Sequence, residues 1–469
     1  VHAAGTGERL GEVQPLTVKR IPELVSAARR AQRDWVAAAP HHRADALAAA
    51  AQGIEQEADE LARMHARESG KVITQARHEV RSAVQLLRWN ADAGRFASGE
   101  VAPTGAVPGA ERDLTIVERV PLGVVVAVLP FNFPIELAIE KAGAALVAGN
   151  AVILKLPRQN PLATLAVARI LQRHLPNGLL GAVDADDATS EQLCSSHGVD
   201  AVSLTGSVRA GQSVARATAG ELRRLHLELG GNGAVIVRPD ADLDLVTSEV
   251  VRGRLLMNGQ ACAATKRVIA HRSVASEVID RLVAELSAVE PTDPLSADAR
   301  LGPLIDAAAA TRVEQQVCEA VSAGARRVLG SSPEGAWYAP TVLADVPTHA
   351  ALLHDDEVFG PVVPVTAVES DDEAIELANA TRLRLTAAVF SSDLGAAIAV
   401  AERLDVGGVV VNGTNNYRPP VVPFGGTDLA GAGREGRGWT MAELTRTRFI
   451  ALRGLRSAVI APDTGSSED

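Results

Sequence analysis

The sequence predicts an α/β fold built around a parallel, nucleotide-binding sheet. The first observation is the run Val124-Val125-Val126-Ala127-Val128-Leu129, continuously apolar as in a strand buried on both faces. The second is its repetition at Ala151 to Leu154, Ala201 to Leu204 and Ala234 to Val237, four strands in one series. The third is the helical spacing at 135–148 and 161–174 between them. Strands alternating with helices wind right-handedly into a parallel sheet, the arrangement that binds nucleotides at strand ends.

The flanking regions follow from the same patterns. Residues 18–98 read as helices, with Ile21, Leu24, Ala27, Ala28 and Ala31, then Leu47, Ile54, Leu61 and Met64, at helical spacing. Residues 101–110, rich in Pro and Gly, form a turn region, and Leu114 to Val120 an exposed strand. A second α/β stretch has expected strands at 266–271, 362–367, 386–391 and 408–412, with helices at 274–288, 308–322, 371–380 and 394–404. Arg446 to Leu452 has strand character, and 463–469 reads as a disordered tail.

Composition excludes whole classes of function. At 469 residues the chain needs two or three cores, and its 47% hydrophobic and 22% charged residues supply them. A net charge of -11 without a basic block argues against nucleic acid and membrane surfaces as partners. No apolar run of about 18 residues predicts a membrane helix, and the opening residues do not read as a secretory leader. Three cysteines form neither a disulfide framework nor a metal spacing, so free thiols and a cytoplasmic, reducing compartment are expected. The scattered histidines predict no metal site. Cys194 and Cys318, in helix-like contexts, read as buried and inert.

The chemistry concentrates in a few segments. Asn132 closes the first buried strand between Phe131 and Phe133. It is either a turn residue bonded to nearby backbone or an amide donor for an oxyanion, a role worth about 3 to 4 kcal/mol. Glu228, in Leu227-Glu228-Leu229-Gly230-Gly231, is either a solvated strand-end carboxylate or a desolvated base. Gly230 lets backbone approach a ligand closely. Cys262 is flanked by Ala261 and Ala263, so a substrate could reach its sulfur; the alternative is a buried, unreactive thiol. Lys155 ends the second strand, where ligands of such sheets bind. Gly206 and Ser207 follow the third strand and open a helix whose free amides favour a phosphate. Glu357 could hold ribose hydroxyls or be a plain loop carboxylate.

Taken together, these segments resemble the aldehyde dehydrogenase superfamily from about Gly5 to Arg453. The resemblance rests on Glu68-Ser69-Gly70-Lys71, Phe131-Asn132-Phe133-Pro134, Leu204-Thr205-Gly206-Ser207, Glu228-Leu229-Gly230-Gly231, Gly259-Gln260-x-Cys262, Glu357-Val358-Phe359-Gly360-Pro361, Pro423-Phe424-Gly425-Gly426 and Gly433-Arg434-Glu435, in one order. It implies a Rossmann-like cofactor domain (1–102 and 122–230), an α/β catalytic domain (231–427) and a small β oligomerisation arm (103–121 and 440–460) in a homodimer or homotetramer. It implies oxidation of an aldehyde to the acid through a cysteine thiohemiacetal and thioester, with hydride passing to NAD(P). Cys262 would be the nucleophile, Asn132 with the Cys262 N–H the oxyanion site, and Glu228 the base for hydrolysis. Lys155, Gly206, Ser207, Gly230, Glu357 and Phe359 would hold the cofactor, and Phe133 and Phe424 would shape the substrate pocket.

Departures from the family pattern are informative. Arg158 stands where a ribose-binding Glu is usual, and an Arg can pair with a 2′-phosphate, so NADP is expected to serve at least as well as NAD. Glu140 and Arg418 replace common aromatics at the substrate mouth, pointing to a polar or anionic aldehyde, unless the two merely pair with each other. Leu383-Arg384-Leu385 and Ala430 also depart from the pattern and are expected to lie outside the chemistry. The alternatives are a CoA-acylating semialdehyde dehydrogenase, which typically lacks the Glu228 base, and a benzaldehyde-type enzyme.

Overall fold

The computed structural model describes residues 1–455. Residues 456–460 of the expected arm and the expected tail at 463–469 lie outside the described residues. The chain opens with helices α1 (Ile21–Ala37), α2 (Pro40–Gln56), α3 (Ala58–Ser69) and α4 (Ile73–Arg95). Strands β1 (Glu100–Ala102) and β2 (Leu114–Pro121) lead into β3 (Val124–Val128). Then come α5 (Pro134–Val147), β4 (Ala151–Lys155), α6 (Leu162–Gln172), β5 (Leu180–Val183), α7 (Asp187–Ser195), β6 (Ala201–Thr205), α8 (Val208–Thr218) and β7 (Arg224–Glu228).

Strands β7-β6-β3-β4-β5 are parallel neighbours in that order. Chain order therefore reverses between β3 and β6. Ligands of such sheets bind at the crevice outside the carboxyl ends of the strands at that point. Asn132 follows β3 and Gly206-Ser207 follows β6, so both lie at this crevice.

The second half contributes β8 (Ala234–Val237), α9 (Leu243–Leu255), β9 (Arg267–His271), α10 (Arg272–Ser287), α11 (Ala307–Ser322), β10 (Arg326–Leu329), β11 (Thr341–Ala344), β12 (Val362–Val368), α12 (Asp371–Asn379), β13 (Leu383–Arg384), β14 (Thr386–Phe390), α13 (Leu394–Ala401) and β15 (Gly408–Val411). Short strands β16 (Thr427–Asp428) and β17 (Gly431–Ala432), helix α14 (Trp439–Glu443) and strand β18 (Thr445–Leu452) complete it. A seven-stranded sheet runs β10-β11-β12-β9-β8-β14-β15. Separate apolar clusters cover its two faces, one including Ile236, Ile269 and Val313, the other Val235, Val268 and Leu282.

One expectation about strands is corrected here. Ala234 to Val237 is not the fourth strand of the first sheet but the middle of the second, between β9 and β14. The first sheet is instead completed by β5 and β7. Neither reads as a buried run, because β5 contains Gly181 and β7 alternates Arg224, His226 and Glu228 with leucines. The backbone returns late to the first sheet, where β17 pairs antiparallel with β7.

Two buried carboxylates replace missing helix caps. Neither α5 nor α6 has a side-chain cap of its own. Glu68 accepts from the N–H groups of Leu162 and Ala163 at 2.8 and 2.9 Å and so closes α6 from α3. Glu79 accepts from the N–H groups of Ile135 and Glu136 at 3.0 and 3.2 Å and closes α5. It is held in turn by Lys71 and His65. That network anchors the first turn of the helix that follows Asn132.

Candidate active site

Cys262 sits at the amino-terminal edge of the second sheet, facing the carboxyl-terminal edge of the first. The segment before it is tightly bent. Met257, Asn258 and Gly259 all have positive φ, of 51°, 57° and 81°. A side chain at Gly259 would come within 2.2 Å of the Gly360 backbone, so only glycine fits. The Asn258 amide donates to the carbonyls of Gly70 and Pro303, both at 2.8 Å, and its oxygen accepts from the Gly302 N–H at 2.9 Å. These bonds over-determine the strained turn, a pattern typical of functional sites.

A cavity of about 350 Å³ opens beside the sulfur, and its wall includes Asn132, Phe133, Glu136, Glu140, Glu228, Cys262, Arg418, Phe424 and Glu435. Asn132 donates from Nδ2 to the Gln260 carbonyl at 2.9 Å and accepts the Phe133 N–H at 3.0 Å. Its amide is therefore locked against the Cys262 segment, with its second N–H left over. The Cys262 N–H has no acceptor among the described residues. Burial pushes the thiol up to about 11, while the nearby Arg418 charge pulls it down.

Glu228 is 2% exposed, and its Oε1 has no hydrogen-bond partner. Burial, reinforced by the Glu435 charge, raises its carboxyl well above the usual range. Glu435 is the opposite case. Burial favours its neutral form, yet Lys141 at 2.7 Å and Arg418 at 2.5 Å hold it ionised, down to about 2. Two buried glutamates in one site are thus driven apart, one toward the acid and one toward the anion.

Arg418 and Glu140 both line the cavity but do not form an ion pair. Arg418 binds Glu435 and lies 4.3 Å from the Phe424 ring centre. Glu140 accepts from the Thr440 hydroxyl and from the Gly436 N–H. Phe133 lies under Lys71 Nζ at 3.7 Å.

On the cofactor side, Lys155 ends β4, its charge disfavoured by burial and favoured by Asp184. Arg158 is half exposed, with Nε 3.8 Å from Asp184 Oδ1, an atom that has no hydrogen-bond partner. Ser207 caps α8, accepting the Ala210 N–H at 3.2 Å, and a side chain at Gly206 would meet nothing closer than 3.6 Å. Glu357 pairs with Lys266 at 3.0 Å and folds against Gly230, where any Cβ would come within 2.4 Å of its Oε2. Lys266 Nζ lies 4.4 Å from the Phe359 ring centre, and Phe359 packs edge-on to Phe131 at 6.0 Å. Cations and helix amides suit the phosphates of a dinucleotide, and a glycine-backed carboxylate suits its ribose hydroxyls.

Two expectations about flanking residues fail. Leu385 and Ala430, placed outside the chemistry, pack in one small apolar cluster with Cys262, Ala263 and Phe424. Cys318 is exposed rather than buried; Cys194 is buried, which pushes its thiol up to about 12. Lys141, Glu435 and Glu136 were not singled out as functional. The signal for Glu136 and Lys141 was present in α5, where they and Glu140 interrupt an otherwise apolar helix.

A doubly wound sheet beside a cavity holding a thiol, an amide donor and an unpaired carboxylate defines a class: dehydrogenases that work through a covalent cysteine adduct. The aldehyde dehydrogenase family profile matches residues 1–450, and the chain belongs to that family. It is 35% identical to aspartate-semialdehyde dehydrogenase 1 of Pseudomonas canavaninivorans over 96% of this chain and 95% of that one. It is 37% identical to succinate-semialdehyde dehydrogenase (NADP+) of Deinococcus radiodurans over 95% and 93%. Among solved structures, NADP-dependent glyceraldehyde-3-phosphate dehydrogenase from Bacillus halodurans, in complex with NADP, superposes with TM-score 0.93 at 30% identity over 97% and 95%. The protein oxidises a polar aldehyde to its acid and uses NAD(P). Among the described residues, no helix is long and apolar enough to cross a membrane.

Proposed function

We propose that Cys262, Asn132 and Glu228 perform this oxidation in two stages. The observation behind this reading is that all three line one cavity, with Glu228 Oε1 lacking any protein partner. The thiol first gives up its proton to solvent in the cavity, its thiolate favoured by the nearby Arg418 charge. The sulfur then bonds to the aldehyde carbon, while Asn132 Nδ2 and the Cys262 N–H hold the oxyanion. NAD(P)+, when bound, supplies the hydride acceptor. Loss of hydride from the tetrahedral carbon leaves a thioester on Cys262. Glu228 then takes a proton from water as the water oxygen attacks that thioester, and the C–S bond breaks to release the acid.

Lys155, Ser207 with Gly206, and Glu357 with Gly230 and Phe359 would hold the cofactor. Arg158 would pair with a 2′-phosphate, which favours NADP. Arg418 and Glu140 would give the substrate mouth its polar character, beside Phe133 and Phe424. Strands β1, β2 and β18 form a separate sheet whose outer strand exposes Phe449 (71%), Ile450 and Leu452. An apolar edge of this kind suits pairing with a second copy, so the arm would assemble a dimer or tetramer. Three unpaired cysteines suit a cytoplasmic setting.

Rapid mixing with Glu228→Gln tests the scheme. It should release about one equivalent of NAD(P)H per subunit and then stall at the thioester, while Cys262→Ala should release none. Absence of NAD(P)H from wild type across a broad aldehyde panel would sink the reading. A requirement for CoA in wild-type turnover would instead favour acyl transfer over hydrolysis.

A further inference from the structure

Apart from Glu228, Glu136 is the acidic group of the cavity wall, among the described residues, whose carboxylate no protein atom binds. It lies in the first turn of α5, four residues after Asn132 and four before Glu140, on the helix face that lines the cavity. Its backbone N–H is taken by Glu79, but its side chain makes no hydrogen bond or ion pair among the described residues. The neighbouring cations are already engaged: Arg418 with Glu435 and Lys71 with Glu79. Glu140, one turn on, is satisfied by Thr440 and Gly436. Burial pushes the Glu136 carboxyl up to about 7, against the pull of Arg418.

Glu136 is part-buried and its carboxylate is open to the cavity, so a substrate that displaces solvent from it must return a donor or leave it unpaired. The partner is not an anion, which the charge would repel, nor an alkyl chain, which would leave it unpaired. Arg418, by contrast, uses Nη2 on Glu435 and keeps other N–H donors for an acceptor.

We propose that Glu136 is a specificity-determining residue that accepts a hydrogen bond from a hydroxyl or ammonium group on the aldehyde, making donor-bearing aldehydes the preferred class. This rests on the catalytic reading above, because it places the donor in the cavity that leads to Cys262.

The test compares kcat/KM for three aldehydes of equal chain length: one with a terminal hydroxyl, one with a terminal ammonium and one unsubstituted. Wild type, Glu136→Gln and Glu136→Leu are assayed, with Tm confirming that each is folded. Wild type should prefer both donor-bearing aldehydes over the plain one. Glu136→Leu should lower that preference by about 10- to 100-fold, the worth of a hydrogen bond to a charged group. Glu136→Gln, neutral but still an acceptor, should lower it more for the ammonium aldehyde than for the hydroxy aldehyde, which separates the two sources of the donor. An unchanged preference in Glu136→Leu, or a wild type that favours the plain aldehyde, overturns the inference while leaving the catalytic scheme intact. Failure of wild type to oxidise any of the three would remove both.

Discussion

Replacing Glu435 by Gln probes how the buried charges in the active site are arranged. The wild-type carboxylate, 1% exposed, bridges Lys141 at 2.7 Å and Arg418 at 2.5 Å. An amide of the same shape keeps one acceptor but leaves two desolvated cations without a counter-charge. Removing one partner of a buried ion pair costs about 3 to 5 kcal/mol, so urea unfolding should show a loss of that order. The same change acts on Glu228. Its carboxyl is raised first by burial and then by the negative charge of Glu435. As a base it works only when ionised, so deacylation rises as pH climbs through its raised pKa. Deleting the Glu435 charge removes the repulsion, and the two freed cations then attract the Glu228 anion. Both effects lower its pKa, so the acidic limb of the profile should move to lower pH. Hydrolysis of p-nitrophenyl acetate reads this directly, because the ester acylates Cys262 and deacylation needs no hydride acceptor. A limb that stays in place, or moves to higher pH, would refute the coupling of Glu228 to Glu435. A full stability loss with an unmoved limb would confine Glu435 to a structural role.

Two further predictions concern the cofactor and the arm. Arg158→Ser should lower the ratio of kcat/KM for NADP to that for NAD by about tenfold, because the guanidinium is half exposed and only loosely held by Asp184 at 3.8 Å; an unchanged ratio, or a wild type that strongly prefers NAD, would show that Arg158 faces away from the 2′ position. Phe449→Glu places a charge on the exposed edge strand β18, and light scattering should report a smaller assembly than wild type; an unaltered mass would move the contact elsewhere.

The sequence by itself determined the features that local chemistry dictates. Apolar runs marked β3 and β4, and β6 despite the buried Ser203 within it, because a strand buried on both faces leaves few polar positions to interrupt it. Small neighbours and flanking glycines marked Cys262 and Glu228, because a reactive group needs room around it. What escaped were strands that bury polar side chains, such as β7 with His226 and Glu228, since their burial comes from partners remote in the chain. For β8 the series of buried runs and the domain boundary at 231 pointed to different sheets. A buried strand looks alike in either sheet, and only pairing with β9 and β14 decides between them.

The site divides in the same way. Cys262, Asn132 and Glu228 announce themselves through motifs, whereas their protonation states are set by neighbours hundreds of residues away. Lys141 and Glu435 meet across 294 positions of sequence, and Arg418 joins them from a loop. Electrostatics in a dry cavity depends on distance in space, which composition and spacing cannot supply. For that reason Arg418 and Glu140 could be placed at the mouth from the sequence, but that Arg418 binds Glu435, that Glu140 turns to Thr440 and that Glu136 is left without a partner were decided by the fold alone.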